Sequence, residues 1–125
     1  MKNEYIAGDL VKFATNTYTI VNFEENFLHN KICYAMISTN STKTAFVADR
    51  DILPIPLTEE ILEKNGWEHK DDVYFKEFPH RKLVIMDENI YIINEYCSIF
   101  LCPAKFVHEL QHLLFGLGLN SEMEV

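Results

Sequence analysis

The sequence predicts an α+β protein in two parts. The first is a small antiparallel β-sheet or SH3-like barrel; the second is a helix, an antiparallel meander and a helix in two layers. Three observations carry this reading. Residues 9 to 53 hold short runs of period two, a Pro-Ile-Pro string interrupts the pattern at residues 54–56, and two stretches of helical period flank a second set of period-two runs. The boundaries follow as 1–53 for the β part and 57–125 for the α+β part.

In the first part, Leu10-Val11-Lys12-Phe13 leads through Thr15-Asn16 into Tyr18-Thr19-Ile20-Val21-Asn22-Phe23. Strict alternation puts Tyr18, Ile20 and Asn22 on one side, and Thr19, Val21 and Phe23 on the other. Glu24-Glu25-Asn26 and His29-Asn30 supply turn chemistry around Phe27-Leu28. Ile32–Ile37 and Thr44–Ala48 complete four strands, with the polar loop Ser38–Thr42 between the last two. Pro54 and Pro56 then remove backbone donors and end the strand pattern.

In the second part, Thr58 has the chemistry of an N-cap, with Glu59 and Glu60 in the first turn where the helix dipole favours acids. Leu57 and Leu62 are placed for a hydrophobic staple, and Asn65-Gly66 stops the helix. Trp67–His69 and Val73–Lys76 flank the turn at Lys70-Asp71-Asp72. Leu83–Met86 and Ile90–Ile93 flank Asp87-Glu88-Asn89, and Ser98–Leu101 forms a last strand. From Pro103 to Leu117 the period is helical: Phe106, Leu110, Leu113, Leu114 and Leu117 share one face, with Val107 at its margin and His108 and His112 nearly opposite.

Composition narrows the functional classes. The 125 residues are 48% hydrophobic and carry a formal net charge of -8. That content suits a folded core rather than a disordered chain, and the charge repels phosphate backbones. No Lys/Arg stripe, phosphate-cradling glycine loop or internal repeat is present, so nucleic-acid binding is not expected. Met1–Tyr5 has no apolar signal region and no apolar run reaches membrane-span length. A cytoplasmic protein with free thiols at Cys33, Cys97 and Cys102 is the expectation.

Several strings together resemble an uncharacterised family of small proteins carried by Bacteroides phages and prophages. They are Gly8-Asp9-Leu10-Val11, then Pro54-Ile55-Pro56-Leu57-Thr58-Glu59-Glu60-Ile61-Leu62 with Asn65-Gly66-Trp67, and Phe106-Val107-His108-Glu109-Leu110-Gln111 running to the acidic Glu122-Met123-Glu124-Val125. The resemblance implies a mobile-element setting and a bacterial host cell; it implies no activity. Family members commonly carry Asn where this chain has His112.

One string names a chemistry. His108-Glu109-x-x-His112 is the H-E-x-x-H of helical zinc hydrolases, which would make His108 and His112 ligands and Glu109 the general base. A third ligand is not evident: Phe115 and Gly118 stand where an extended motif requires Gly and His. His29, His69, His80, Asp71 and Asp72 are the other donors to consider. A second set, Cys97, Cys102, His108 and His112, has the order of a Cys2His2 site, but thiols five apart on a straight strand face opposite ways. Asp71-Asp72 and Asp87-Glu88 read as turns, and Asp49-Arg50-Asp51 as a solvated ion-pair turn.

The reading adopted is a binding module with no catalytic residues, metal or cofactor. It would bind a protein or small-molecule ligand, presenting the loops Glu24–Asn30 and Ser38–Thr42. The alternatives are the zinc-dependent hydrolase just described and a homo-oligomer that meets through the polar face of the last helix, with Phe115 exposed.

Overall fold

The alternation of inward and outward side chains is broken at Val21 by a shift of strand register. A computed structural model describes residues 5–26, 31–79, 81–94 and 96–125. It divides into two compact units, Met1–Ile55 and Pro56–Val125. In the first unit the strands are β1 (Leu10–Phe13), β2 (Asn16–Asn26), β3 (Lys31–Ser38), β4 (Thr44–Ala48) and β5 (Leu53–Pro54), ordered β4-β3-β2-β1-β5 with every pair antiparallel. A single 3-10 turn, Asp49–Asp51, precedes β5. This is the strand order an SH3-like arrangement requires. No ladder joins β4 to β5 among the described residues, so the unit is an open antiparallel sheet.

Val21 is the extra residue of a β-bulge: Ile20 pairs with Met36, yet Asn22 already pairs with Ala35. One inserted residue reverses the facing of everything beyond it. Tyr18 and Ile20 are buried as alternation requires, but Asn22 turns outward and Phe23 takes the place opposite Tyr34. The strand also runs on to Asn26, so Glu24–Asn26 belong to β2 rather than to a turn. Phe27–Asn30 lie outside the described residues. The core joins Tyr5, Val11, Tyr18, Ile20, Tyr34, Met36, Val47 and Ile52. Tyr5 meets Tyr34 edge-on with ring centroids 5.5 Å apart.

One local feature differs from the sequence reading. Pro54 does not end the pattern but forms part of β5, opposite Val11; at a sheet edge its missing N–H costs no ladder bond. The division between the units therefore falls after Ile55. Gly8 (φ +95°) and Asp9 lead into β1, with Gly8 N–H donating to the Ile20 carbonyl (2.8 Å) and the Asp9 carboxylate accepting from Ile6 N–H (2.9 Å).

The second unit runs α1 (Glu59–Lys64), β6 (Glu68–Lys70), β7 (Val73–Phe78), β8 (Arg81–Met86), β9 (Asn89–Ile93), β10 (Ser98–Pro103) and α2 (Val107–Gly116). The strands form an antiparallel meander, β10-β9-β8-β7-β6. Two-residue turns at Asp71-Asp72 (φ 53° and 62°) and Asp87-Glu88 (φ 51° and 62°) close the β6–β7 and β8–β9 hairpins. Both central residues are left-handed, the geometry that matches the twist of paired strands. Leu62 and Trp67 from α1 and its exit, Leu83, Ile85 and Ile90 from the sheet, and Leu110 and Leu114 from α2 share one core. Burying a leucine side chain of this kind contributes about 2 kcal/mol.

Thr58 Oγ1 accepts from Ile61 N–H (3.3 Å) as the N-cap of α1, and Leu57 packs on the core that holds Leu62. Asn65 does more than stop the helix. Its amide nitrogen donates to the Ile61 carbonyl (2.7 Å) and to the Glu124 carbonyl (2.8 Å), and its oxygen accepts from Glu124 N–H (2.9 Å). One side chain thus seals α1 and fastens the acidic tail across it.

Two stability predictions follow from these turns and clamps. Asp72→Gly removes a left-handed non-glycine residue and is expected to raise stability by about 0.5–1 kcal/mol, read as a higher urea midpoint. Asn65→Ala deletes three side-chain hydrogen bonds and is expected to cost about 2–3 kcal/mol. It should also free the tail, seen as fast amide exchange at Glu124.

Candidate functional site

The H-E-x-x-H string lies on α2, and its surroundings assign each member a place. Residue 106 is the N-cap of α2, but a phenylalanine has no oxygen to offer the first-turn N–H groups. Glu109 supplies the other half of a capping box. Its Oε1 accepts from Lys105 N–H (2.8 Å) and from Phe106 N–H (3.0 Å). A carboxylate oxygen holding two backbone donors is committed to the helix start. It also adds negative charge where the dipole is positive.

His108 is 6% exposed, not on a solvated face as the helical wheel implies, and Gln111 is buried as well. The buried residues of α2 are Val107, His108, Leu110, Gln111 and Leu114, so the helix is enclosed on more than its leucine side. A single amphipathic face is what periodicity can reveal; a second covered face depends on what packs there. The His108 ring lies nearly parallel to Phe106 (6.0 Å, 17°) and edge-on to His112 (5.5 Å, 78°). His112 is half-buried and Phe115 is exposed. The Gln111 amide donates to the Ser121 carbonyl (3.1 Å), tying α2 to the chain that follows it.

The remaining candidate ligands are scattered. His69 stacks on Tyr74 (4.4 Å, 11°), and Asp71 and Asp72 are taken up by a turn. His29 and His80 lie outside the described residues. Cys97 is exposed and Cys102 half-buried, on either side of a bulge between Phe100 and Cys102. That bulge is the bend the two thiols would need to share a face. Even so, among the described residues no group of three or more His, Cys, Asp or Glu side chains is placed to hold a metal ion. Burial, and then the Glu109 charge, push the Cys102 thiol up from its ordinary value, which disfavours the thiolate a nucleophile or ligand needs.

Three features escaped the sequence reading. The first is Asp9, a buried carboxylate in the first unit; its one signal was its position between a glycine and a strand. The second is Tyr74, whose hydroxyl is pushed up to about 12 by burial and then by Glu59 and Glu63. The third is the outer face of the first sheet. Ala35 and Phe46 pair across β3 and β4 and face away from the core, with Ile37 further along the same side. Phe46 is 61% exposed, and Ile37 and the bulge residue Val21 are also open to solvent.

No family model, curated protein or solved structure matches the chain. Among the described residues no helix is long and apolar enough to cross a membrane.

The cap assignment separates two substitutions. Glu109→Ala should destabilise the protein by about 1 kcal/mol, whereas Glu109→Gln, which keeps an acceptor, should lose much less. Equal losses would contradict it. Tyr74 gives a pH prediction. A folded-state value above the ordinary 10 means the folded form holds the proton longer. Its contribution is complete below pH 10 and is lost as pH rises toward about 12, so stability should fall across that window less steeply in Tyr74→Phe.

Proposed function

We propose that the chain is a phage or prophage accessory protein that binds a host protein without catalysis, in the cytoplasm of a Bacteroides-type host. The setting rests on the sequence strings described above. The non-catalytic reading is supported by Glu109, whose carboxylate oxygen accepts from the Lys105 and Phe106 N–H groups at the start of α2. The binding reading rests on the apolar outer face of the first sheet, centred on Phe46 with Ile37 and Val21.

An aromatic ring exposed to this degree on a sheet, among other apolar side chains, offers the core of a protein interface. A small-molecule site would instead be concave and enclosed. The polar loop Ser38–Thr42 borders this face. Its turns are held by Ser38 Oγ accepting from Asn40 N–H and Ser41 Oγ accepting from Lys43 N–H. The acidic surface adds a preference for a partner with basic groups at the rim.

Phe46→Glu tests the surface. It should leave stability within about 0.5 kcal/mol of wild type and abolish capture of a specific host protein from a Bacteroides lysate. Capture of the same proteins by both forms would contradict it. Zinc analysis of untagged protein addresses catalysis: less than about a tenth of an equivalent is expected, unchanged in His108→Ala. Stoichiometric zinc lost in that variant would establish the hydrolase reading instead.

A further inference from the structure

Among the described residues the four edge strands of the two sheets are not alike. In the first unit β5 is two residues long and ends in proline, and in the second β6 is Glu68-His69-Lys70, short and charged. Both carry the devices by which proteins prevent edge pairing. Edge β4 exposes one bulky residue, Phe46, on one face. Edge β10 carries no such protection before its bulge. From Tyr96 to Pro103 there is no charged side chain. Ile99 is 50% exposed on the side of Ile92, and Phe100 is 54% exposed on the side of Tyr91, so both faces of the edge are apolar. Tyr96, just before the strand, is 90% exposed.

The backbone of this edge is self-complementary. Asn94 N–H donates to the Cys97 carbonyl (3.1 Å), which makes 94 and 97 a hydrogen-bonded pair. Alternation along an antiparallel ladder then makes Ile93–Ser98 a non-bonded pair, Ile92–Ile99 bonded and Tyr91–Phe100 non-bonded. Ser98 and Phe100 therefore turn their N–H and C=O groups to the open side. A second β10 laid antiparallel about a two-fold axis at Ile99 sets Ser98 of each copy opposite Phe100 of the other. All four outward donors and acceptors on each copy are then used, giving four backbone hydrogen bonds. Ile99 meets its own copy on one face, and the two Phe100 rings flank the axis on the other.

The lack of charge permits self-association at this edge. A chain of net charge -8 repels its own copy, and the uncharged stretch Tyr96–Pro103 lets two copies meet without like charges in contact, over a longer run than the uncharged β4 edge Thr44–Ala48. We propose that β10 pairs with β10 of a second copy, joining two five-stranded sheets into one across a two-fold axis. The contact is short, since the bulge after Phe100 bends the strand away. The dimer is therefore a weak one, strengthened by salt that screens the net charge. The proposal is independent of the partner-binding face on the first unit.

Sedimentation equilibrium of the full chain under reducing conditions tests it, from about 10 to 500 µM in about 0.3 M salt. Wild type should rise from 14.6 kDa toward twice that mass. Ser98→Pro removes one outward N–H without touching a bond to β9, and Ile99→Lys places a charge at the axis. Both should stay at 14.6 kDa across the range with a wild-type circular dichroism spectrum. Should the proline variant unfold, the lysine variant decides. A wild type that stays monomeric at every concentration would overturn the proposal, and so would a dimer that Ile99→Lys leaves intact.

Discussion

A glutamate that serves the backbone fixes the terminal helix. Because the N-cap of α2 is Phe106, the amides at the helix entry have no side-chain acceptor from the cap itself, and Glu109 reaches back to two of them. Without that acceptor the entry from β10 would leave polar groups unsatisfied beside a buried segment. With it, Val107, Leu110 and Leu114 are set into the core, and His108 and Gln111 are enclosed as well. Within the H-E-x-x-H string Glu109 is thus a capping acid between two packed imidazoles. The same carboxylate adds to the burial that keeps Cys102 protonated.

The second unit repeats this economy at α1. Thr58 caps its start, Asn65 its end, and the Asn65 amide spends its remaining capacity on the main chain at Glu124. Two strings far apart in sequence, Asn65-Gly66 and the acidic tail, are therefore one structural feature. In the first unit the comparable device is the Val21 bulge, which turns Asn22 out and sets Phe23 opposite Tyr34, with Val21 itself left exposed.

Elements governed by local rules were legible in the sequence. Thr58, Gly66 and the turns at Asp71-Asp72 and Asp87-Glu88 declare themselves through backbone chemistry that needs no tertiary context. The bulge did not, because Ile20-Val21-Asn22 alternates without interruption and only the partner strand reveals the extra residue. Pro54 misled for a related reason: its lack of a donor excludes a central strand but not an edge. His108 was misplaced because a helical wheel reports polarity, and polarity does not exclude burial when a side chain has neighbours to meet it. The capping role of Glu109 was readable in principle, since an acid at N3 is its signature, but the zinc motif claimed the same residue.

Amide hydrogen exchange at Lys105 and Phe106 tests the central claim most directly. If the Glu109 carboxylate holds these two N–H groups, both should be protected in wild type and in Glu109→Gln, and both should exchange rapidly in Glu109→Ala while the sheet stays protected. Rapid exchange at both amides in the wild-type protein would show that Glu109 is free for other work, and the structural account of α2 would fall.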